Sequence, residues 1–147
     1  MKDSIICYSV GPLLYCPADH TGIAASLIRE RFGKQFSLAL CLEDTISEGH
    51  VETAEQQLAA TLSILHDARS DRPFFLPKIF IRVRRPEQIL KLMRLFGEHQ
   101  DLVTGFILPK FSPENADAYR QAILLANEIC RNPVYAMPIL EDRGIID

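Results

Sequence analysis

The sequence predicts an α/β fold built from parallel strands, each followed by a helix. Short apolar runs alternate with longer amphipathic stretches in the order β-α-β-α-β-α-β-α-β, a pattern typical of parallel pairing through right-handed crossovers. The runs are almost continuously apolar, as strands covered by helices are. With 147 residues, 48% of them hydrophobic, the chain has the size and core material of one domain.

Five apolar runs are the candidate strands. Gly11 and Pro12 interrupt the first run. We place the strands near residues 5–16, 36–42, 79–83, 105–109 and 134–140 of a single domain spanning residues 1–147.

The stretches between the strands carry helix signals. Apolar residues at steps of three and four mark one face of the longest stretch, from Val51 to Leu65. Pro86 opens another stretch at the first helical position, where its missing N–H does no harm. Ser112 followed by Pro113 has the order of an N-cap and a first helical residue.

Two architectures share this alternation: an open doubly wound sheet and part of a (β/α)₈ barrel. The first strand runs into Tyr15-Cys16-Pro17-Ala18-Asp19, without the glycine-rich turn of nucleotide-binding open sheets. The alternation of elements by itself leaves both architectures open.

Composition narrows the function class. A net charge of -3 does not favour a nucleic-acid binder or a protein that lies on a membrane surface. No apolar run reaches the roughly 18 to 20 residues that span a bilayer, so we expect a cytoplasmic protein without a membrane partner. None of the four cysteines (Cys7, Cys16, Cys41 and Cys130) forms a C-x-x-C pair, which favours buried, reduced thiols.

Ionisable residues follow every predicted strand. Because ligands bind at the carboxyl ends of parallel strands in both architectures, these residues are candidates for a site. Carboxylates there could hold Mg²⁺, which takes one or two of them and completes its shell with water and substrate oxygens. The strand-end residues, in order, are Asp19 and His20; Glu43 and Asp44; Arg82 with Arg84 and Arg85; Lys110; and Glu141 and Asp142.

Each candidate also has a structural interpretation. Glu43 and Asp44 could form a solvated turn, and Arg82 could form a structural ion pair, because an unpaired charge in an apolar strand is costly. Lys110 could instead be a Schiff-base lysine.

Five strand-end motifs, taken in order, resemble the citrate lyase β-subunit group of the HpcH/HpaI aldolase superfamily. The residues in these motifs are most similar to those of the C–C bond lyase-like branch found in bacterial tellurite-resistance and stress gene clusters. The motifs are Leu14-Tyr15-Cys16-Pro17-Ala18-Asp19, Leu42-Glu43-Asp44, Ile81-Arg82-Val83, Gly105-Phe106-Ile107-Leu108-Pro109-Lys110 and Pro138-Ile139-Leu140-Glu141.

The resemblance implies a TIM barrel and a Mg²⁺-dependent carbon–carbon lyase acting on a carboxylate-bearing 2-oxo acid or an acyl-CoA. It implies that Glu141 binds the metal. It assigns the remaining residues as follows: Arg82 and Lys110 are catalytic, Glu43 and Asp44 meet the metal through water, and His20 and Arg84 contact substrate. Cys41, Arg84 and His20 depart from the family's usual residues.

The length departs from the family as well. A (β/α)₈ barrel typically needs about 250 residues, and this sequence supplies five of the eight strands and lacks the sixth-strand aspartate ligand. We therefore expect the N-terminal, apparently incomplete portion of a barrel, completed as a homo-oligomer or by association with the missing half. The alternative function is a non-catalytic stress-cluster binding protein that retains the lyase fold.

Overall fold

The computed structural model describes residues 8–141 and Arg143. Its strands are β1 (Leu13–Pro17), β2 (Ser37–Cys41), β3 (Ile79–Arg82), β4 (Val103–Leu108) and β5 (Tyr135–Pro138). Its α-helices are α1 (Ile23–Ile28), α2 (Val51–Asp71), α3 (Pro86–Phe96) and α4 (Pro113–Ile129). Short 3₁₀ helices at Glu48–His50 and Gly97–Leu102 precede α2 and β4.

All five strands form one parallel sheet in the order β1-β2-β3-β4-β5. This order follows the sequence without a reversal, whereas a doubly wound sheet changes direction at a switch point. The strand order therefore resolves the choice left open by the sequence, and the predicted partial barrel of parallel βα units is confirmed. β1 and β5 are the two edges of the described sheet.

The two faces of the sheet differ as the outer and inner faces of a barrel do. The large core cluster joins one face to the helices and includes Leu40, Ile81 and Phe106 from the strands. The opposite face holds a small cluster of Ala39, Phe80 and Ile107. Within the described residues, no member of that small cluster comes from α1–α4, so the helices cover a single face.

The first strand is shorter than the apolar run that predicts it. β1 begins at Leu13, because Gly11 adopts a positive φ of 64° and Pro12 cannot donate to a ladder. The part of the predicted strand at residues 5–7 lies outside the described residues.

The helices follow their sequence signals. Leu58, Leu62 and Leu65 on α2 are fully buried, and each such side chain contributes about 1.5 to 3 kcal/mol relative to exposure. Pro86 and Pro113 stand at helix starts. Ser112 and Asn115 form a capping box on α4, which satisfies two otherwise unpaired backbone N–H groups.

A close approach of β4 and β5 depends on one glycine. A Cβ atom on Gly105 would collide with the backbone oxygen of Tyr135 and lie 3.2 Å from the Phe80 ring. Only glycine, which has no Cβ atom, allows the two strands to pair here without a shift.

Within the described residues, no helix combines the length and apolar character needed to cross a bilayer.

Candidate active site

The carboxyl ends of the strands bring together four of the predicted residues. Glu43 follows β2, Arg82 ends β3, Lys110 follows β4 and Glu141 follows β5. Because the strands are parallel and in register, these carboxyl ends lie side by side at the same end of the sheet. The contacts described below link all four residues into one cluster.

Glu43 lies between two cations. Its Oε2 is 2.5 Å from Nη2 of Arg82, and its Oε1 is 3.2 Å from Nζ of Lys110. Glu43 is 8% exposed, so water screens its ion pair with Arg82 less than it would screen an exposed pair. The buried Nε of Arg82 has no hydrogen-bond partner within the described residues, which leaves a donor at the centre of the cluster.

Asp44 adds a second carboxylate to Arg82 from the solvent side. Its Oδ2 accepts a hydrogen bond of 2.7 Å from Nη2 of Arg82, and its side chain is 62% exposed. Burial acts to lower the pKa of Arg82, but the charges of Glu43 and Asp44 outweigh it and raise that pKa above its ordinary value. Arg82 is therefore held as a cation.

The backbone of Lys110 is strained and held by two side chains. Its φ of 50° lies in the left-handed region, which a residue with a Cβ occupies at a cost. Its N–H donates to Oε1 of Glu141 at 2.7 Å, and its carbonyl accepts from Nδ2 of Asn115 at 2.9 Å. This turn places the ammonium of Lys110 beside Glu43 and joins Glu141 to the cluster.

The donor set can be tested against a magnesium ion. Both oxygens of Glu43 and one oxygen of Asp44 already face cations. Glu141 is exposed, and its Oε2 has no hydrogen bond or ion pair within the described residues. No group of three or more His, Cys, Asp or Glu side chains that could hold a metal is found in that part of the chain. Glu141 therefore fits as one carboxylate ligand, and the other ligands of a magnesium ion would have to come from water, substrate or further strands.

Within the described residues, neither Arg84 nor His20 forms an ion pair with a side chain of the cluster, and Arg84 reaches it through the backbone carbonyl of Glu43. Nη1 of Arg84 donates to three backbone carbonyls in the loop after β2. Nδ1 of His20 accepts from the N–H of Gly22 at 3.1 Å, and among the described residues His20 forms no hydrogen bond or ion pair with the cluster. Their roles in substrate binding stay predictions. Asp142, the last strand-end candidate, lies outside the described residues.

Three polar residues at or near the site escaped the sequence interpretation: Glu55, Gln88 and Asn115. Glu55 occupies a position in the apolar stripe of α2, four residues after Val51 and three before Leu58. A charged residue on this buried face could have been recognised from the sequence as one that needs a polar partner. Asn115 follows Ser112 by three residues, the spacing of a capping box. Gln88 had no comparable signal: it accepts from the N–H of Arg84, four residues before it, and donates to Glu55 on another helix, and its position in the sequence marks neither contact.

The thiols are free. Cys16 and Cys41 are buried, and Cys130 is half-buried. Burial, followed by the nearby charges of Asp19 and Asp101, raises the pKa values of Cys16 and Cys130 respectively. These two thiols are therefore poor nucleophiles. Cys7 lies outside the described residues.

Fold and site define a TIM-barrel protein with charged strand ends, and the sequence comparison specifies its family. Residues 4–147 match the family described as C-C_Bond_Lyase of the TIM-Barrel fold. The chain belongs to this family of carbon–carbon bond lyases, which confirms the resemblance seen in the sequence.

Among the solved structures similar to this chain are three from Mycobacterium tuberculosis. One is a citrate lyase β subunit, 14% identical, with a TM-score of 0.32 over 96% of this chain and 83% of that chain. Another is the protein CitE in complex with magnesium and acetate, 15% identical, with a TM-score of 0.30 over 96% of this chain and 78% of that one. A citrate lyase β subunit with oxaloacetate and magnesium is 15% identical, with a TM-score of 0.30 over 95% and 82%. No protein of curated function matches.

Proposed function

We propose that this chain carries the substrate-facing charges of a Mg²⁺-dependent carbon–carbon lyase acting on a carboxylate-bearing 2-oxo acid or acyl-CoA. The observation that carries the proposal is the pair of cations, Arg82 and Lys110, held on the two oxygens of Glu43 at the strand ends. Membership of the C–C bond lyase family supports the reaction class. Glu141 supports the choice of magnesium, because it offers an exposed carboxylate oxygen at the strand ends, the kind of ligand that this ion takes.

Cleavage of a carbon–carbon bond next to a carbonyl leaves the bonding electron pair in an enolate. Magnesium, when bound, supplies a Lewis acid that stabilises the negative charge of the enolate. Arg82 provides a fixed positive charge for the enolate or for a substrate carboxylate, since its guanidinium is already oriented by Glu43 and Asp44. Lys110 adds a second positive charge from the next strand.

Glu141 would hold the metal directly, whereas Glu43 and Asp44 would meet it through water. Their cation partners support this division, because a carboxylate paired with Arg82 is less available as a direct ligand. Glu141 also accepts the backbone N–H of Lys110, and such a bond orients a ligating carboxylate.

Magnesium titration by calorimetry tests the proposal, with Glu141→Gln as the variant. The substitution keeps the shape of the side chain and the acceptor for Lys110 but removes the charge, so we expect magnesium affinity to fall by about 10-fold or more. Glu98→Gln is the control, because it removes an exposed carboxylate that precedes the amino end of β4 and not the carboxyl end of a strand. Equal affinity of the two variants would contradict the proposal.

The site would be completed by further barrel strands at the β5 edge. An apolar groove of about 370 Å³ lies between β5 and α4, and its walls include Phe111, Ile123 and Leu124. Leu140 beyond β5 is 58% exposed. Strands that continue the parallel order would cover these side chains, either from a second copy or from a complementary half, and light scattering with size-exclusion chromatography would detect the assembly.

A second candidate is a binding protein that retains the fold without turnover. The observation that favours it is the pairing of Glu43 and Asp44 with Arg82 and Lys110, whose two negative and two positive charges need no ligand to balance them. Magnesium binding without cleavage of any 2-oxo acid or acyl-CoA by the assembled protein would favour this function. A Schiff-base aldolase is less well supported, since Lys110 is paired with Glu43 and an ammonium is not a nucleophile. Borohydride trapping with pyruvate checks it.

A further inference from the structure

The guanidinium of Arg84 is dedicated to one loop. Its Nη1 lies within hydrogen-bond distance of the carbonyl oxygens of Leu42 at 3.1 Å, Glu43 at 3.0 Å and Ile46 at 2.9 Å, so one of its two hydrogens is shared between two acceptors. These carbonyls belong to the segment between β2 and α2 that also carries Asp44. One planar, permanently charged group therefore holds the first half of the loop, from which the site carboxylates project.

Arg84 is in turn held by a buried glutamine. The backbone N–H of Arg84 donates to Oε1 of Gln88 at 2.7 Å. Gln88, on the first turn of α3, is 6% exposed. Its side-chain amide can accept at one end and donate at the other, and here the donor end, Nε2, lies 2.8 Å from Oε1 of Glu55 on α2.

Glu55 ends this series of bonds as a buried charge. It is 2% exposed, and its Oε2 forms an ion pair with Nζ of Lys91. A buried carboxylate needs full pairing to be tolerated, and an apolar residue of the same size often serves stability equally well. What an apolar residue could not supply is the acceptor that orients Gln88.

We propose that Glu55, Gln88 and Arg84 are positioning residues, which together fix the loop that presents Glu43 and Asp44 to Arg82. The geometry gives each a distinct part. Glu55 orients the Gln88 amide, Gln88 holds the backbone of Arg84, and Arg84 holds the loop carbonyls. The role deepens the proposed function only in that it takes Glu43 and Asp44 to belong to the site.

Amide hydrogen exchange on the ligand-free protein tests the positioning role. We expect Glu55→Leu, Gln88→Leu and Arg84→Lys to accelerate exchange within residues 42–48 by about 10-fold or more, with little change in α4. Lysine keeps the charge of Arg84 but not the planar fork of donors. Glu55→Gln should retain wild-type exchange in the loop, because its carbonyl oxygen still accepts from Gln88.

Glu48→Gln is the matched control. Glu48 contacts Nη2 of Arg84 at 3.5 Å and is 80% exposed, so its loss leaves the three carbonyl bonds intact and should not change exchange in the loop. If amide exchange accelerates as much in α4 as in the loop, the three residues stabilise the whole protein and have no specific positioning role. Wild-type exchange in the loop of Arg84→Lys would overturn the proposal outright.

Magnesium titration of the same variants separates this proposal from the proposed function. If the loop carries the site, Arg84→Lys and Gln88→Leu should weaken magnesium binding by about 10-fold, and Glu55→Gln should preserve it. A wild-type protein without magnesium affinity would remove the proposed function and leave the exchange result intact. Unchanged affinity in variants with a loosened loop would show that the loop does not serve the site.

Discussion

The ammonium of Lys110 lies 3.2 Å from Oε1 of Glu43, although β3 separates the strands that precede the two residues. Arg82, at the end of β3, contacts the other oxygen of the same carboxylate. Glu43 therefore ties three neighbouring strand ends together, and its removal should be felt by all of them.

Replacement of Glu43 by alanine should lower the free energy of unfolding by about 3 kcal/mol, because it leaves the largely buried Arg82 with one carboxylate partner. Urea denaturation measures the effect. Asp44→Asn is the control: Asp44 is 62% exposed, and the loss of its ion pair should cost less than about 1 kcal/mol. Equal costs for the two variants would contradict the central place given to Glu43.

Lys110→Gly should be more stable than Lys110→Ala by about 1 kcal/mol, as measured by urea denaturation. Both changes remove the ammonium, but only glycine relieves the left-handed backbone with its φ of 50°. Lys78 has no positive φ, so there the order should reverse and glycine should be the less stable replacement. The same order at both positions would show that the turn at Lys110 is unstrained.

Gly105→Ala should destabilise the protein by about 1 to 3 kcal/mol, because the new methyl group meets the backbone of Tyr135 and separates β4 from β5. Thermal unfolding measures the change, and amide exchange in β5 should accelerate. Gly49→Ala is the control, since a Cβ atom there meets nothing within 4 Å. A stable Gly105→Ala protein would mean that β5 shifts without cost.

The stability of the protein should fall between about pH 10 and pH 12 through Tyr119. Burial, helped by the charges of Glu87 and Glu43, raises the pKa of Tyr119 from 10.0 to about 12. A raised pKa gives stability that is fully present below the unfolded pKa and lost as the pH passes the folded one. In the wild-type protein the free energy of unfolding should fall by on the order of 2 kcal/mol over this range, and Tyr119→Phe should not show that fall. Tyr135→Phe serves as a control, and a profile unchanged by Tyr119→Phe would refute the assignment.

The fold was largely predictable because its signals are local. Apolar runs, stripes at helical spacing and prolines at helix starts act over a few residues, and each recurs in the structure at β2, α2 and α4. The start of β1 was not predictable from hydrophobicity alone, because the left-handed backbone of Gly11 delays the strand until Leu13. The strand order that distinguishes a barrel from an open sheet depends on contacts between distant segments.

The candidate site divides in the same way. By itself, the sequence determined which residues stand at strand ends, since the chain direction of a parallel sheet puts them on one edge; Glu43, Arg82, Lys110 and Glu141 follow from that. Only the tertiary structure decided that Glu43 is shared by two cations and that Arg84 holds the loop behind it. These partners lie more than 25 residues apart along the chain, and no spacing in a sequence encodes which side chains of such distant segments meet.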